Sequence, residues 1–175
     1  MKRIVFIACL LLSCLAVRAL IPITHDFTTD AGTKLTWRNS VYTVGYYDED
    51  GVVYTCTNAT FTTSGSPATF YINMSYNGIV EVSQISGLRS FTIQHNTVPD
   101  GIGMNILIST DGAKWSLIPE AQLSRQNSYI EATGLNGDYY IKLQNTHGSA
   151  VRILQLNYQT EPEPESCRCL RVVVN

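Results

Sequence analysis

The chain has 175 residues and a formal net charge of −2, with 45% hydrophobic, 10% aromatic and 15% charged residues. This is too apolar and too weakly charged for a disordered chain, and it lacks the basic excess of a nucleic-acid binder, so no nucleic-acid partner is expected. The length fits one domain, and ten Tyr and twelve Gly among many Thr, Ser and Asn favour strands and turns over helices.

Residues 1–19, MKRIVFIACLLLSCLAVRA, open with Lys2 and Arg3 and continue through nine apolar residues, Ile4 to Leu12. That run is too short to cross a bilayer as a mature helix, so the segment reads as a secretory signal peptide and no transmembrane segment is expected in the mature chain. Val17-Arg18-Ala19 offers small residues for a cut after Ala19. Leu11-Leu12-Ser13-Cys14 offers the alternative of a bacterial lipobox, with Cys14 lipidated as an anchor. Either route exports the protein, to an extracellular, periplasmic or outer-surface location. Cutting after Ala19 removes Lys2, Arg3 and Arg18 from the 12 basic residues and leaves 9 against 14 acidic, a net charge of −5. Three cysteines then remain, Cys56, Cys167 and Cys169, an odd number that cannot all pair within one chain. A buried free Cys56 is the expectation.

From Lys34 to Asn157 the chain is a succession of short strand signals. Strands are expected at Leu35 to Trp37, Val41 to Tyr47, Val52 to Thr57, Ala68 to Asn73, Ile79 to Val82 and Leu88 to His95. They continue at Met104 to Ser109, Trp115 to Ile118, Tyr129 to Ala132, Tyr139 to Gln144 and Val151 to Tyr158. Asn-Gly, Ser-Gly and Asp-Gly pairs punctuate them. The best helical candidate, Ile118 to Arg125, is short. Close spacing leaves no room for crossover helices, which predicts an all-β antiparallel sandwich over residues 20–160. Glu161-Pro162-Glu163-Pro164-Glu165 reads as a stiff linker into a short Cys-containing tail, so residues 161–175 form a separate segment.

The sharpest local pattern is Ser109-Thr110-Asp111-Gly112-Ala113-Lys114-Trp115. Asp-Gly supplies a tight turn, Asp111 caps it, and Trp115 opens the return strand with its indole over the turn. NILISTDGAKWSLIP, together with GDYYIKLQNTHGSAVRILQLNYQ and VEVSQISGLRSFTIQHN, resembles the galactose-binding-like and carbohydrate-binding jelly-roll modules appended to secreted bacterial polysaccharide-degrading enzymes such as pectate lyases. The resemblance covers roughly Thr60 to Tyr158. It implies a jelly-roll-like fold, a non-catalytic glycan-binding or enzyme-supporting role, and a structural calcium of the kind such modules often carry.

For that calcium the candidate ligands are Asp48 and Asp50 in the acidic turn Asp48-Glu49-Asp50-Gly51, whose alternative role is a solvated hairpin tip. The three histidines, His25, His95 and His147, lack metal-spaced partners, and no nucleophile motif is present. No catalytic residues are therefore expected, and the chain is read as a non-enzyme. A glycan site needs flat aromatic faces beside hydrogen-bonding groups. The candidates are Trp37, Tyr46, Tyr47, Tyr139 and Tyr140, with only one member of each adjacent Tyr pair able to face outward on a strand. The expected partner is a polysaccharide or cell-surface glycan. Two alternatives stay open: a fragment of a polysaccharide lyase or hydrolase whose catalytic domain lies elsewhere, and an adhesive or structural surface protein.

Overall fold

The computed structural model describes residues 19–65, 69–96, 103–126 and 128–162. Most of the signal-peptide reading, with Cys14, and the tail with Cys167 and Cys169 lie outside the described residues. In chain order the elements are β1 (Ile21–Asp26), the one-turn helix α1 (Phe27–Asp30), β2 (Leu35–Trp37), β3 (Val44–Tyr47), β4 (Val53–Ser64) and β5 (Thr69–His95). Then come β6 (Met104–Ser109), β7 (Ser116–Leu117), a 3₁₀ turn (Glu120–Gln122), β8 (Leu123–Gln126), β9 (Tyr129–Ala132), β10 (Gly137–Asn145) and β11 (Val151–Thr160). Among the described residues no helix is long and apolar enough to cross a membrane.

The architecture is all-β and sandwich-like. One path of hydrogen-bonded strands runs β2-β3-β4-β5-β10-β6-β7, and a second runs β1-β11-β5-β9-β8. β5 belongs to both. Its middle, Ile79 to Ile85, lies between β4 and β10, while Phe91 to Gln94 lies between β11 and β9. Along β11, Leu156, Tyr158 and Thr160 stand opposite Ile93, Phe91 and Leu88, so partner numbers fall as those of β11 rise, the register of antiparallel pairing. The change of layer falls at Gly87, whose φ of 63° is ordinary only for glycine. Its N–H donates to Asp138 Oδ1 at 2.8 Å and its carbonyl accepts from the Glu161 N–H at 2.9 Å, which fixes the bend from both sides.

Alternation along these strands fills the space between the layers. Val80, Val82, Ile85, Leu88, Phe91 and Ile93 of β5 are buried, as are Ile141 and Leu143 of β10 and Val151, Ile153, Leu156 and Tyr158 of β11. Each such side chain contributes about 1.5–3 kcal/mol on burial. α1 closes one end of the core. Asp26 caps it by accepting from the Thr28 N–H at 2.9 Å, and the turn inserts Phe27 edge-on against Tyr54 (5.1 Å), Phe61 (5.9 Å) and Tyr47 (6.1 Å).

Three elements differ from expectation. The signals at Ala68 to Asn73, Ile79 to Val82 and Leu88 to His95 are parts of one 27-residue strand, because Asn77, Gly78 and Gly87 bend the chain without interrupting pairing on its flanks. Ile118 to Arg125 is helical only over Glu120–Gln122, and Leu123 to Arg125 belong to β8. β1, which carries Pro22 and little alternation, was not anticipated; it is an edge strand paired only with β11, where a missing N–H is tolerated. Cys56 is buried and unpaired, as expected, and burial pushes its thiol up to about 12.

Close packing beneath β3 generates one prediction. A Cβ built on Gly45 would lie 2.7 Å from Cζ of Phe61, a ring held by Trp37 and Phe27. Gly45→Ala therefore lowers stability by about 1–3 kcal/mol, read as a shifted urea midpoint with unchanged slope. An unshifted midpoint would mean that the ring has room to move.

Candidate functional site

The pleat separates the aromatic candidates. Tyr47 points inward, 1% exposed, and stacks on His25 with ring centroids 3.7 Å apart. It offers no face to an external ligand. Tyr139 and Trp37 are half-buried and pack against the core, Trp37 with its ring 4.3 Å from that of Phe61. Tyr46 and Tyr140, one residue along from inward neighbours, lie on the outer face of the β2-to-β7 layer.

Around Tyr140 that face holds a shallow trough of about 240 Å³. Val53 and Thr55 of β4 and Ser83 of β5 make a floor of small side chains, while Trp115 and Tyr140 stand at its side. The Ser109–Trp115 turn builds this wall. Asp111 Oδ1 accepts from the N–H groups of Ala113 and Lys114, both at 2.8 Å, and the Ser109 hydroxyl accepts from the Gly112 N–H at 2.9 Å. The Lys114 N–H most strongly, then the Ala113 N–H and the Ser109 hydroxyl, which donates to the same oxygen at 2.9 Å, hold the Asp111 carboxyl below its ordinary range. Gly112 sits against the Tyr140 ring, where a Cβ would come within 3.4 Å. Trp115 directly precedes the return strand β7. It is half-buried on the outer face, and the Lys142 ammonium lies 4.0 Å from its ring centre. The same ammonium pairs at 2.7 Å with Glu81, which lines the trough. The Lys142–Glu81 pairing follows from the β10–β5 register, which the sequence alone does not display.

A second cluster was missed entirely. His25 of β1 is 2% exposed, with Nδ1 2.6 Å from the Tyr54 hydroxyl and Nε2 2.7 Å from Asp50 Oδ2. The Tyr158 hydroxyl donates to the same Asp50 oxygen, and the Val52 N–H donates to Oδ1 at 3.0 Å. Burial raises the pKa values of Tyr54 and Tyr158, so both remain neutral donors. With Tyr54 donating to Nδ1, Nε2 carries the proton given to Asp50. Burial alone would raise Asp50, but the hydrogen bonds from His25, Tyr158 and Val52 outweigh it and hold the carboxyl below its ordinary range. Above Asp50 and Tyr158 opens a groove of about 670 Å³, walled by Ile21, Ile23, Val52 and Ile85. Both ring nitrogens of His25 are engaged from within the core, so the imidazole does not reach a molecule in that groove.

This network also bears on the cation reading. Both oxygens of Asp50 accept from protein donors, while Asp48 accepts from the Thr36 hydroxyl at 3.2 Å. The donor set does not fit a calcium ion held jointly by the two carboxylates, and among the described residues no group of three or more His, Cys, Asp or Glu is placed to hold a metal. His95 Nδ1 lies 2.6 Å from the Asn96 carbonyl, and His147 Nδ1 accepts from the Ser149 N–H at 3.2 Å.

No family model matches the chain, and no curated protein does. Among solved structures, it is similar to a family two carbohydrate esterase from Cellvibrio japonicus, with 12% identity over 84% of this chain and a TM-score of 0.39. The chain spans 37% of that esterase. It is also similar to the K2 cleaved adhesin domain of Lys-gingipain, with 11% identity over 79% of this chain and 99% of that domain and a TM-score of 0.41. Likeness of this order carries no argument about activity or ligand.

The buried network makes stability depend on acid. The folded-state pKa of Asp50 lies below its unfolded value, so its contribution is fully present above about pH 4 and disappears as pH falls through the lowered folded value. Asp50→Asn should therefore lower the unfolding free energy at neutral pH and converge on wild type in acid. Urea melts over a pH series check this, and curves that stay parallel throughout would overturn it.

Proposed function

We propose that the chain is an exported, non-catalytic module that holds a glycan on the outer face of its β2-to-β7 layer. The observation that carries the reading is the trough at Tyr140, where two aromatic side chains stand beside small polar and apolar residues and a fixed Glu81–Lys142 pair. Sugar rings present apolar C–H faces and polar rims, so they bind where flat aromatics adjoin hydroxyl and charged groups. Thr55 and Ser83 supply hydroxyls at the floor, and the Ser109–Trp115 turn holds its indole in place before any ligand arrives. The larger groove offers less, because Tyr158 is 3% exposed and gives no free ring face. Export rests on the basic, apolar and small-residue succession of residues 1–19.

The absence of catalysis in this reading rests on the same chemistry. At the trough, Glu81 is held by Lys142, and no histidine or cysteine lines it. Hydrolysis by paired carboxylates needs two groups flanking the scissile bond. Among the described residues that line the trough, Glu81 is the one carboxylate.

A glycan array, followed by calorimetry on any ligand it identifies, tests the proposal. Tyr140→Ala and Trp115→Ala should each weaken binding tenfold or more while costing about 1 kcal/mol of stability, since both rings are part exposed. Tyr129→Ala, an exposed ring on β9, should leave binding unchanged. Incubation with pectin, xylan or mannan should release no reducing ends or unsaturated products beyond a heat-denatured control. Equal binding by wild type and Tyr140→Ala would remove the trough as the site, and turnover abolished by a single carboxylate substitution would replace the module with an enzyme.

A further inference from the structure

We infer that the outer face of β3, beside the Val53 side of the trough, is a subsite for an anionic sugar unit, bound by the Arg38 guanidinium where it stacks on Tyr46. The inference rests on the glycan reading above and adds the charge and extent of the ligand. Tyr46 stands opposite Val53 in the β3–β4 register, Val53 is part of the trough floor, and its N–H donates to the Ser83 hydroxyl at 2.9 Å. Tyr140 lies beyond Ser83 on β10. Tyr46 and Tyr140 thus bound one band of outer face across β3, β4, β5 and β10. Three strand spacings make this band about 14 Å wide. A single sugar ring does not bridge it, so the fitting occupant is a short chain lying across the strands.

Charge distinguishes the two ends. At the Tyr140 end the Lys142 ammonium is compensated by Glu81 at 2.7 Å. At the Tyr46 end the Arg38 guanidinium lies 4.2 Å from the ring centre and forms no ion pair among the described residues. The nearby carboxylate of Asp48 is engaged by Thr36. Stacking on an aromatic face orients a guanidinium and leaves its in-plane N–H groups free, and that fork matches a carboxylate or sulfate bidentately. The Arg38 N–H donates to the Val44 carbonyl at 3.0 Å, which fixes the backbone from which the side chain projects. The outer face therefore reads a chain with a neutral ring in the trough beside Trp115 and Tyr140 and an acidic unit next to it at Arg38.

The test compares the full chain on polygalacturonate, on its methyl ester, which keeps the rings and removes the charge, and on a sulfated galactan. The measurement is calorimetric affinity at low and high salt, with circular dichroism to confirm that each variant folds. Wild type should favour an anionic polymer over the neutral ester by about tenfold at low salt and lose most of that margin at high salt. Arg38→Gln should erase the margin and keep binding to the ester, whichever of carboxylate or sulfate supplies the charge, and the two anionic arms identify the source. Equal affinity of wild type for charged and neutral polymers, or a margin that survives Arg38→Gln, overturns the subsite while leaving the glycan reading intact. Binding that is indifferent to Tyr140→Ala, or no binding by wild type to any of the three, overturns both.

Discussion

The structure turns on one imidazole. His25 comes from β1, an edge strand with a single pairing partner, yet its ring bonds Tyr54 of β4 and Asp50 of the β3–β4 turn and stacks on Tyr47 of β3. Through Asp50 it also engages Tyr158 of β11. Three segments that are distant in sequence, β1, the β3–β4 hairpin and β11, thus meet at one buried polar centre. A polar centre of this kind tolerates no half measures, because each group left without its partner would bear the full cost of desolvation. The Tyr47 hydroxyl is the exception at its margin: it is buried without a hydrogen bond of good geometry, and burial together with the negative charge of Asp30 keeps it protonated.

The outer face depends on that centre indirectly. Tyr46 and Tyr47 are adjacent, so anchoring Tyr47 inward against His25 forces Tyr46 outward, and Val53 and Tyr54 are divided in the same way. β5 transmits the arrangement. Its middle carries Glu81 and Ser83 outward and Val80 and Val82 inward, and the bend at Gly87 then delivers Phe91 and Ile93 to the second layer. The trough on one surface and the packing between layers are consequently two sides of the same strands.

The strands were legible because local chemistry specifies them. Alternation in Tyr139-Tyr140-Ile141-Lys142-Leu143 and the Asp111-Gly112 turn survive folding nearly as written. The buried pair of His25 and Asp50 was not legible. A histidine beside a proline-bearing edge strand and an aspartate in an acidic turn both look solvated until the fold brings them 2.7 Å apart. The same reason hides the hydrogen bonds that Asp50 accepts from His25, Tyr158 and Val52, which the sequence cannot display. For Trp115 the turn is legible and the Lys142 contact is not, because Lys142 reaches the indole only through the pairing of β10 with β6 and β5. Pair distances across sheets are set by register, and register is a property of the whole assembly.

The pairing of β1 with β11 has a mechanical consequence. Ile21 lies opposite Thr160, so the two ends of the described fold leave from the same corner, and the strands between them run in opposite directions. Tension applied at both ends loads the ladder one rung at a time, as in opening a zipper, instead of shearing all its bonds together. Ile21 to Thr24 form the first four rungs, with Ile23 packed against the core. The fifth is His25 opposite Leu156, where the imidazole is tied through to Tyr54 and Asp50 in the layer beneath. Peeling therefore meets its stop at a side chain, four rungs into the ladder, and the body of the fold stays unloaded until that knot gives way.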